Sequence, residues 1–271
     1  MAGDGYLMAG QRSELERLRL QARTWEPAGR RLLGELGDGA GRRVLDVGCG
    51  ALGWLGLLAE WVGPAGRVVG TDVDEPLLAA AGAFVEEEGL DIVELVRDDL
   101  FASQLEPASF DLVHARFQLA PLGRATEQLA AYRALVSPGG WLVLEEPDAG
   151  SWHFNPPAPA AQRLVELIPK AFTDAGGDFD AGRSLPGLLV SLGLAPETRA
   201  EVLALRPGHP YLRVGIQFSV SLESRLTELA PLAELRRLRA DAERELAEPD
   251  RWGTTFTLIQ SWAQIPPAAA V

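Results

Sequence analysis

The chemistry legible in this chain begins with a glycine turn flanked by carboxylates. In RRVLDVGCGALGWLGLLAEW, residues 42–61, Gly48, Gly50 and Gly53 fall between an apolar strand pattern and an apolar helix pattern. G-x-G-x-x-G at such a junction lets a ligand approach the backbone closely. Asp46 stands two residues before the turn, and Asp72 and the pair Asp98-Asp99 close two further apolar stretches. A carboxylate after the second strand can accept both hydroxyls of a ribose, and dinucleotide enzymes use that position too, so Asp72 alone does not choose the ligand. Asp46 and Asp99 discriminate more. A pyrophosphate carries roughly two negative charges and would be repelled by Asp46 at close range. S-adenosylmethionine has no phosphate; its tail carries a sulfonium and an ammonium, which favour a nearby carboxylate. Asp99 is placed to accept from an adenine amino group.

Other reactive side chains are few. Cys49 is the single cysteine, so no intrachain disulfide is possible, and its place inside the turn suits a small buried filler. His114, His153 and His209 are the only histidines. His114 falls in a strand beside the glycine turn, and His153 in the Trp152-His153-Phe154 loop after the fifth strand; both are candidate general bases. Glu146 and Asp148 are further polar candidates at that strand end. No compact cluster of His, Cys and carboxylates has metal-ligand spacing, so no metal is expected.

These residues require elements to position them. Apolar spacing predicts helix over residues 11–36, with Pro27 separating two segments. Strands are expected at 44–47, 67–72, 92–97, 110–115 and 141–145, alternating with helices at 52–62, 75–88 and 125–136. A turn is expected at Pro138-Gly139-Gly140. Such alternation predicts a doubly wound, mostly parallel sheet of the Rossmann-like α/β class, and the near-continuous apolarity of the strands predicts that both faces are covered. Beyond Glu146 the Pro-rich segment SWHFNPPAPAAQ reads as a loop or lid. Helices are expected at 160–175, 185–192, 212–229 and 232–246, and strands at 202–206 and 254–264.

Taken together, residues 38–147 resemble the core of class I S-adenosylmethionine-dependent methyltransferases. VLDVGCGALG resembles their glycine motif, VVGTDVDEPLL their ribose-binding strand end, VRDDL their adenine-contact segment, SFDLVHARFQL the fourth strand and its exit, and LVSPGGWLVLEEPD the fifth strand. In two places the chain departs from the common pattern: the third glycine is offset by one, at Gly53, and Asp98 stands where a glycine is usual. The resemblance implies a seven-stranded sheet and implies roles. Gly48, Cys49 and Gly50 would pass under the methionine part, with Asp46 orienting the loop. Asp72 would hold the ribose hydroxyls, with Val73 beside the adenine. Asp99 and Leu100 would flank the adenine ring, and Ala115 and Arg116 would lie near the methionine end. The N-terminal helix resembles an arm that covers the cofactor, which makes Gln21 and Trp25 candidate contacts.

Composition bounds the partners. The formal net charge of -13 argues against nucleic acid or an anionic membrane as the main partner. No secretory signal is read at the N-terminus and no apolar run reaches about 18 residues, so a cytoplasmic protein is expected. Aromatic residues gather in the second half: Trp152, Phe154, Phe172, Phe179, Tyr211 and Phe218. The expectation is one methyltransferase domain, with an arm at 1–37, a cofactor core at 38–150 and a cap at 151–271. It would act as a monomer or homodimer on an O, N or C atom of a small organic acceptor, as in natural-product tailoring. Competing readings are a methyltransferase fold turned to cyclase-like chemistry, a nicotinamide-dependent oxidoreductase, and a cofactor-binding module without catalysis.

Overall fold

The computed structural model describes residues 12–267, so the start of the predicted arm, including Gln11, lies outside the described residues. Five strands build the core in chain order: β1 (Arg43–Val47), β2 (Arg67–Asp72), β3 (Val93–Arg97), β4 (Phe110–Arg116) and β5 (Val136–Asp148). Two later strands, β6 (Glu197–Glu201) and β7 (Thr257–Gln264), complete a seven-stranded sheet in the order β3-β2-β1-β4-β5-β7-β6. The strands from β3 through β5 pair in parallel, whereas β7 runs antiparallel to both β5 and β6. The strand order reverses between β1 and β4, which opens a crevice at their carboxyl ends, where ligands of open α/β sheets bind.

The helices are α1 (Arg12–Glu35), α2 (Leu55–Val62), α3 (Glu75–Glu87), the single turn α4 (Leu119–Leu122), α5 (Ala125–Leu135), α6 (Pro159–Asp174), α7 (Leu185–Ser191), α8 (Val214–Ser221), α9 (Glu223–Leu229) and α10 (Leu232–Leu246). Adjacent strand residues serve opposite faces. Val44, Val68, Leu112 and Val143 pack with α1, α2 and α3, while Leu45, Val69, Val113 and Leu142 pack with α5 and α7. Covering both faces in this way is what makes the core strands apolar throughout. A third apolar cluster joins α6, α8, α9 and α10 to Trp25 and Phe256, forming a cap beside the sheet.

Several boundaries differ from the expectation. Pro27 lies inside one continuous α1 rather than dividing two helices. Its side is exposed, and the buried positions Gln21, Trp25, Ala28 and Leu32 continue one face across it, so packing outweighs the local cost of proline. The Pro138-Gly139-Gly140 segment is a bulge within β5, not a turn before it. Phe110 pairs with Val136 but Leu112 already pairs with Trp141, and the extra residues are tied to the end of β7 by Gly139 N–H donating to Ile265 O at 3.0 Å. The sixth strand is Glu197–Glu201, not 202–206. It is an edge strand with mostly exposed side chains, so its sequence, ETRAE, lacks the apolar signature. Residues Ala204–Leu205 instead join Phe154–Asn155 and Trp252–Thr254 in a small antiparallel sheet. The predicted helix at 212–229 breaks at Leu222, which is fully buried between α8 and α9.

Candidate active site

A cavity of about 610 Å³ lies at the carboxyl ends of β1, β2, β3 and β4. Its floor is the glycine turn. Asp46 is buried, and Oδ2 accepts from the Trp54 N–H at 2.7 Å, which pins the last residue of the turn to the strand that precedes it. A Cβ on Gly53 would lie 2.0 Å from that same oxygen, and φ there is +45°. The one-residue offset of the third glycine therefore has a local cause: this is where the chain crosses the Asp46 carboxylate. Gly50 is different. Its φ is +56°, and an added Cβ would meet only Leu18, at 3.8 Å. The turn thus presents bare backbone to the cavity at Gly50.

Behind the floor stands a buried polar chain. Asp46 Oδ1 is 2.7 Å from His114 Nδ1, and His114 Nε2 is 3.2 Å from Glu145 Oε2. The imidazole stacks on Trp54 with ring centroids 3.8 Å apart. Burial by itself disfavours the charged imidazole, but the charge and hydrogen bonds of Asp46 and Glu145 outweigh it and raise the His114 pKa. Gln260 Nε2 donates to the other Glu145 oxygen at 2.7 Å.

Asp72 closes β2. Its Oδ2 accepts from Gly50 N–H and its Oδ1 from Asp74 N–H, both at 2.9 Å. Each carboxylate oxygen keeps a further lone pair for a ligand hydroxyl. Burial raises the Asp72 carboxyl above its ordinary range despite these donors. Beside it Val73 remains 49% exposed, a large apolar side chain left open at the cavity wall. After β3, Asp99 accepts from Phe101 N–H at 3.0 Å, and the Arg124 guanidinium lies 3.7 Å over the Phe101 ring.

The other end of the cavity is aromatic. Phe117, Phe172, Phe179, Phe218 and Phe256 line it, with Arg17 packed 4.3 Å over Phe218. Trp152 stands behind this lobe, stacked on Phe179 at 6.0 Å. The exit of β4 is held by Glu146, whose carboxyl accepts from Gln118 N–H at 2.8 Å, Leu119 N–H at 2.7 Å and Ala120 N–H at 3.0 Å. Burial pushes that carboxyl up to about 8 even so. Gln118 in turn reaches over the turn and donates to Gly48 O at 3.2 Å.

Of the residues singled out in the sequence, Gln21, Asp46, Gly48, Cys49, Gly50, Asp72, Val73, Asp99, Leu100 and Arg116 line this cavity. Two do not. Trp25 is fully buried, donates from Nε1 to the Tyr211 hydroxyl at 3.0 Å and packs on Phe256, so it is core beneath the aromatic lobe. Ala115 is buried in the sheet between Val47 and Leu144. The candidate bases are also elsewhere. His153 is exposed, with Nε2 3.2 Å from Gly150 O, and His114 lies behind Asp46. Nor does His209 reach the cavity; its Nδ1 accepts from Tyr211 N–H at 3.1 Å. Cys49 is buried, and burial together with Asp46 and Asp72 raises its thiol pKa far above the ordinary value, as suits an inert filler. Among the cap aromatics, Phe172, Phe179 and Phe218 reach the cavity, while Trp152, Phe154 and Tyr211 do not.

Leu18, Phe117, Gln118 and Phe256 line the cavity without having been singled out. Phe117 and Gln118 follow β4 in RFQL, a detectable signal, since residues leaving a parallel strand near the switch point face the crevice. Phe256 carried none: it reads as part of a strand, but falls in the break between Trp252–Thr254 and β7.

Among the described residues no group of three or more His, Cys, Asp or Glu side chains is arranged to hold a metal ion. No helix among them is long and apolar enough to cross a membrane.

The family described as "Methyltransferase domain" matches residues 44–140, from β1 into β5. The nocamycin O-methyltransferase of Saccharothrix syringae is 30% identical over 246 residues, which cover 84% of this chain and 79% of that protein. The aklanonic acid methyltransferase DauC of Streptomyces sp. (strain C5) is 33% identical over 158 residues, 58% of this chain and 70% of its own length. In three dimensions the fold is similar to an S-adenosylmethionine-dependent methyltransferase from Aquifex aeolicus, with a TM-score of 0.51 at 18% identity over 87% of this chain and 88% of that one. Glycine turn, switch-point cavity, strand order and sequence relatives agree: the chain belongs to the class I S-adenosylmethionine-dependent methyltransferase family.

Proposed function

We propose that the cavity is a continuous methyl-transfer site, holding the cofactor over the glycine turn and a small, largely apolar acceptor in the aromatic lobe. The carrying observation is that both halves share one cavity, with Gly48, Gly50, Asp72 and Asp99 at one end and Phe172, Phe179, Phe218 and Phe256 at the other. The cofactor supplies an electrophilic methyl group on its sulfonium. The chain's own contributions are binding, orientation and exclusion of water. Open backbone at Gly50 fits a close-lying ligand tail, and Asp72 has lone pairs free for two ribose hydroxyls. Val73 and Leu100 offer apolar flanks for adenine, with Asp99 at its edge. Gln21 on α1 borders the same space; its Oε1 accepts from Arg17, so its Nε2 is the group left to donate to the tail. The phenylalanines orient a planar acceptor and keep water from its nucleophilic atom; positioning of this kind can supply a large share of the rate.

The names of the two curated relatives support a natural-product acceptor, and the apolar lobe suits one. We read the chain as a single domain with an arm, a core and a cap, because α1, the carboxyl ends of the strands, α6 and α8 all border one cavity. Incubation with methyl-labelled S-adenosylmethionine and fractionated metabolite extracts tests it. Label should move to small, apolar compounds; transfer confined to protein or nucleic acid would contradict the acceptor class.

A further inference from the structure

The cavity wall contains a guanidinium whose pairing is incomplete. Arg116 leaves β4 at the junction between the cofactor half and the aromatic lobe, and its side chain is only 8% exposed. Its nearest carboxylate oxygen is Glu145 Oε2 at 3.9 Å, beyond hydrogen-bond distance, and that oxygen already faces His114. The other Glu145 oxygen accepts from Gln260. The Phe117 ring lies 5.8 Å away, and the guanidinium also acts electrostatically on the Tyr211 hydroxyl. The two other arginines of the cavity differ: Arg17 forks onto both oxygens of Glu14 and reaches Gln21, and Arg124 pairs with Glu127. Glu145 offsets the charge of Arg116 but leaves its donors without acceptors. These donors open onto the cavity, and a planar guanidinium matches a carboxylate with two parallel bonds.

We propose that Arg116 is the anion-binding residue of this cavity, taking a carboxylate-type pair of oxygens from a bound ligand. Two ligands could present that chemistry: the amino-acid end of the cofactor, or an acidic acceptor held in the aromatic lobe. Either source requires the group to lie at the junction of the two halves, where Arg116 is. The inference rests on the methyl-transfer reading of the cavity.

The test compares wild type with Arg116→Gln and Arg116→Lys. Four ligands are titrated: S-adenosylhomocysteine, its decarboxylated analogue, and 2-naphthoate and 2-naphthamide added to the S-adenosylhomocysteine complex. If the cofactor supplies the anion, wild type prefers S-adenosylhomocysteine over the decarboxylated analogue by about tenfold or more, and Arg116→Gln removes that preference. If the acceptor supplies it, S-adenosylhomocysteine affinity stays within about twofold while the preference for 2-naphthoate over 2-naphthamide is lost. Arg116→Lys keeps the charge without the fork and should retain part of the preference; should Arg116→Gln fail to fold, it carries the comparison. Unchanged preferences in both ligand pairs overturn the inference while leaving the methyltransferase reading standing. Failure of wild type to bind S-adenosylhomocysteine contradicts that reading itself and removes the inference with it.

Discussion

Asp46 Oδ1 lies 2.7 Å from His114 Nδ1, and the two residues are register partners on β1 and β4. With Oδ2 committed to Trp54 N–H, Asp46 is bonded within the protein through both oxygens. It faces an imidazole whose pKa is raised by Asp46 and Glu145 before any ligand arrives. The carboxylate that makes the glycine turn unsuited to a pyrophosphate therefore acts first as a clamp on the turn. Asp46→Asn should lower stability by about 1.5–3 kcal/mol, the scale of a charged hydrogen bond. It should weaken S-adenosylmethionine and S-adenosylhomocysteine by similar factors, because the loosened turn underlies both. Calorimetry with the two ligands checks this; a loss confined to S-adenosylmethionine would mean that Asp46 senses the sulfonium directly.

His114 makes stability depend on pH. Its pKa in the folded chain is raised above that of an unfolded histidine, near 6.5. The contribution of the imidazolium is thus complete below about pH 6.5 and is lost as pH rises through the folded value. His114→Phe keeps an aromatic ring against Trp54 but removes a partner from Asp46 and from Glu145, leaving them Trp54 N–H and Gln260 with Arg116 respectively; breaking a buried pair costs up to about 3–5 kcal/mol. Denaturant unfolding across pH 5–9 should show wild type losing stability toward alkaline pH relative to the variant; parallel profiles would show that His114 is not charged in the fold.

Glu146 gathers three backbone N–H groups at the exit of β4. Glu146→Ala leaves those donors buried without a partner, at about 1–3 kcal/mol for such a loss. The segment from Phe117 to Leu122 lines the cavity, so turnover should fall along with stability. Hydrogen exchange at Gln118, Leu119 and Ala120 should quicken; unchanged protection would place the restraint elsewhere.

His153 faces solvent outside the cavity, beside Gly150. His153→Ala should keep turnover within about twofold of wild type, against the 10²–10⁴-fold expected on losing a general base. A loss of that larger size would bring the loop after β5 into the chemistry.

What could be read from the sequence follows the physics of each element. β1, β2 and β4 are covered on both faces, so Val44, Leu45 and Val47 and their counterparts are apolar and visible, and carboxylates such as Asp46 and Asp72 are visible against them. β6 lies at the sheet edge, where exposed Glu197 and Thr198 erase the pattern. Trp25 and Gln21 sit one helical turn apart on α1, and the sequence treats them alike; only the fold shows that Gln21 borders the cavity and Trp25 the cap core. The polar chain through His114 and Glu145 was equally hidden. Its members are 31 residues apart and meet only because β4 and β5 are neighbours.

The most direct test is calorimetry of wild type and Asp72→Ala against S-adenosylhomocysteine and NAD. Asp72 has lone pairs free for ribose hydroxyls at the cofactor end of the cavity. The account predicts that S-adenosylhomocysteine binds wild type one to one, and that Asp72→Ala weakens it by about 1.5–3 kcal/mol, roughly 10- to 150-fold. NAD should give no measurable heat with either protein. Binding of NAD without S-adenosylhomocysteine, or S-adenosylhomocysteine affinity untouched by Asp72→Ala in a folded protein, would contradict it.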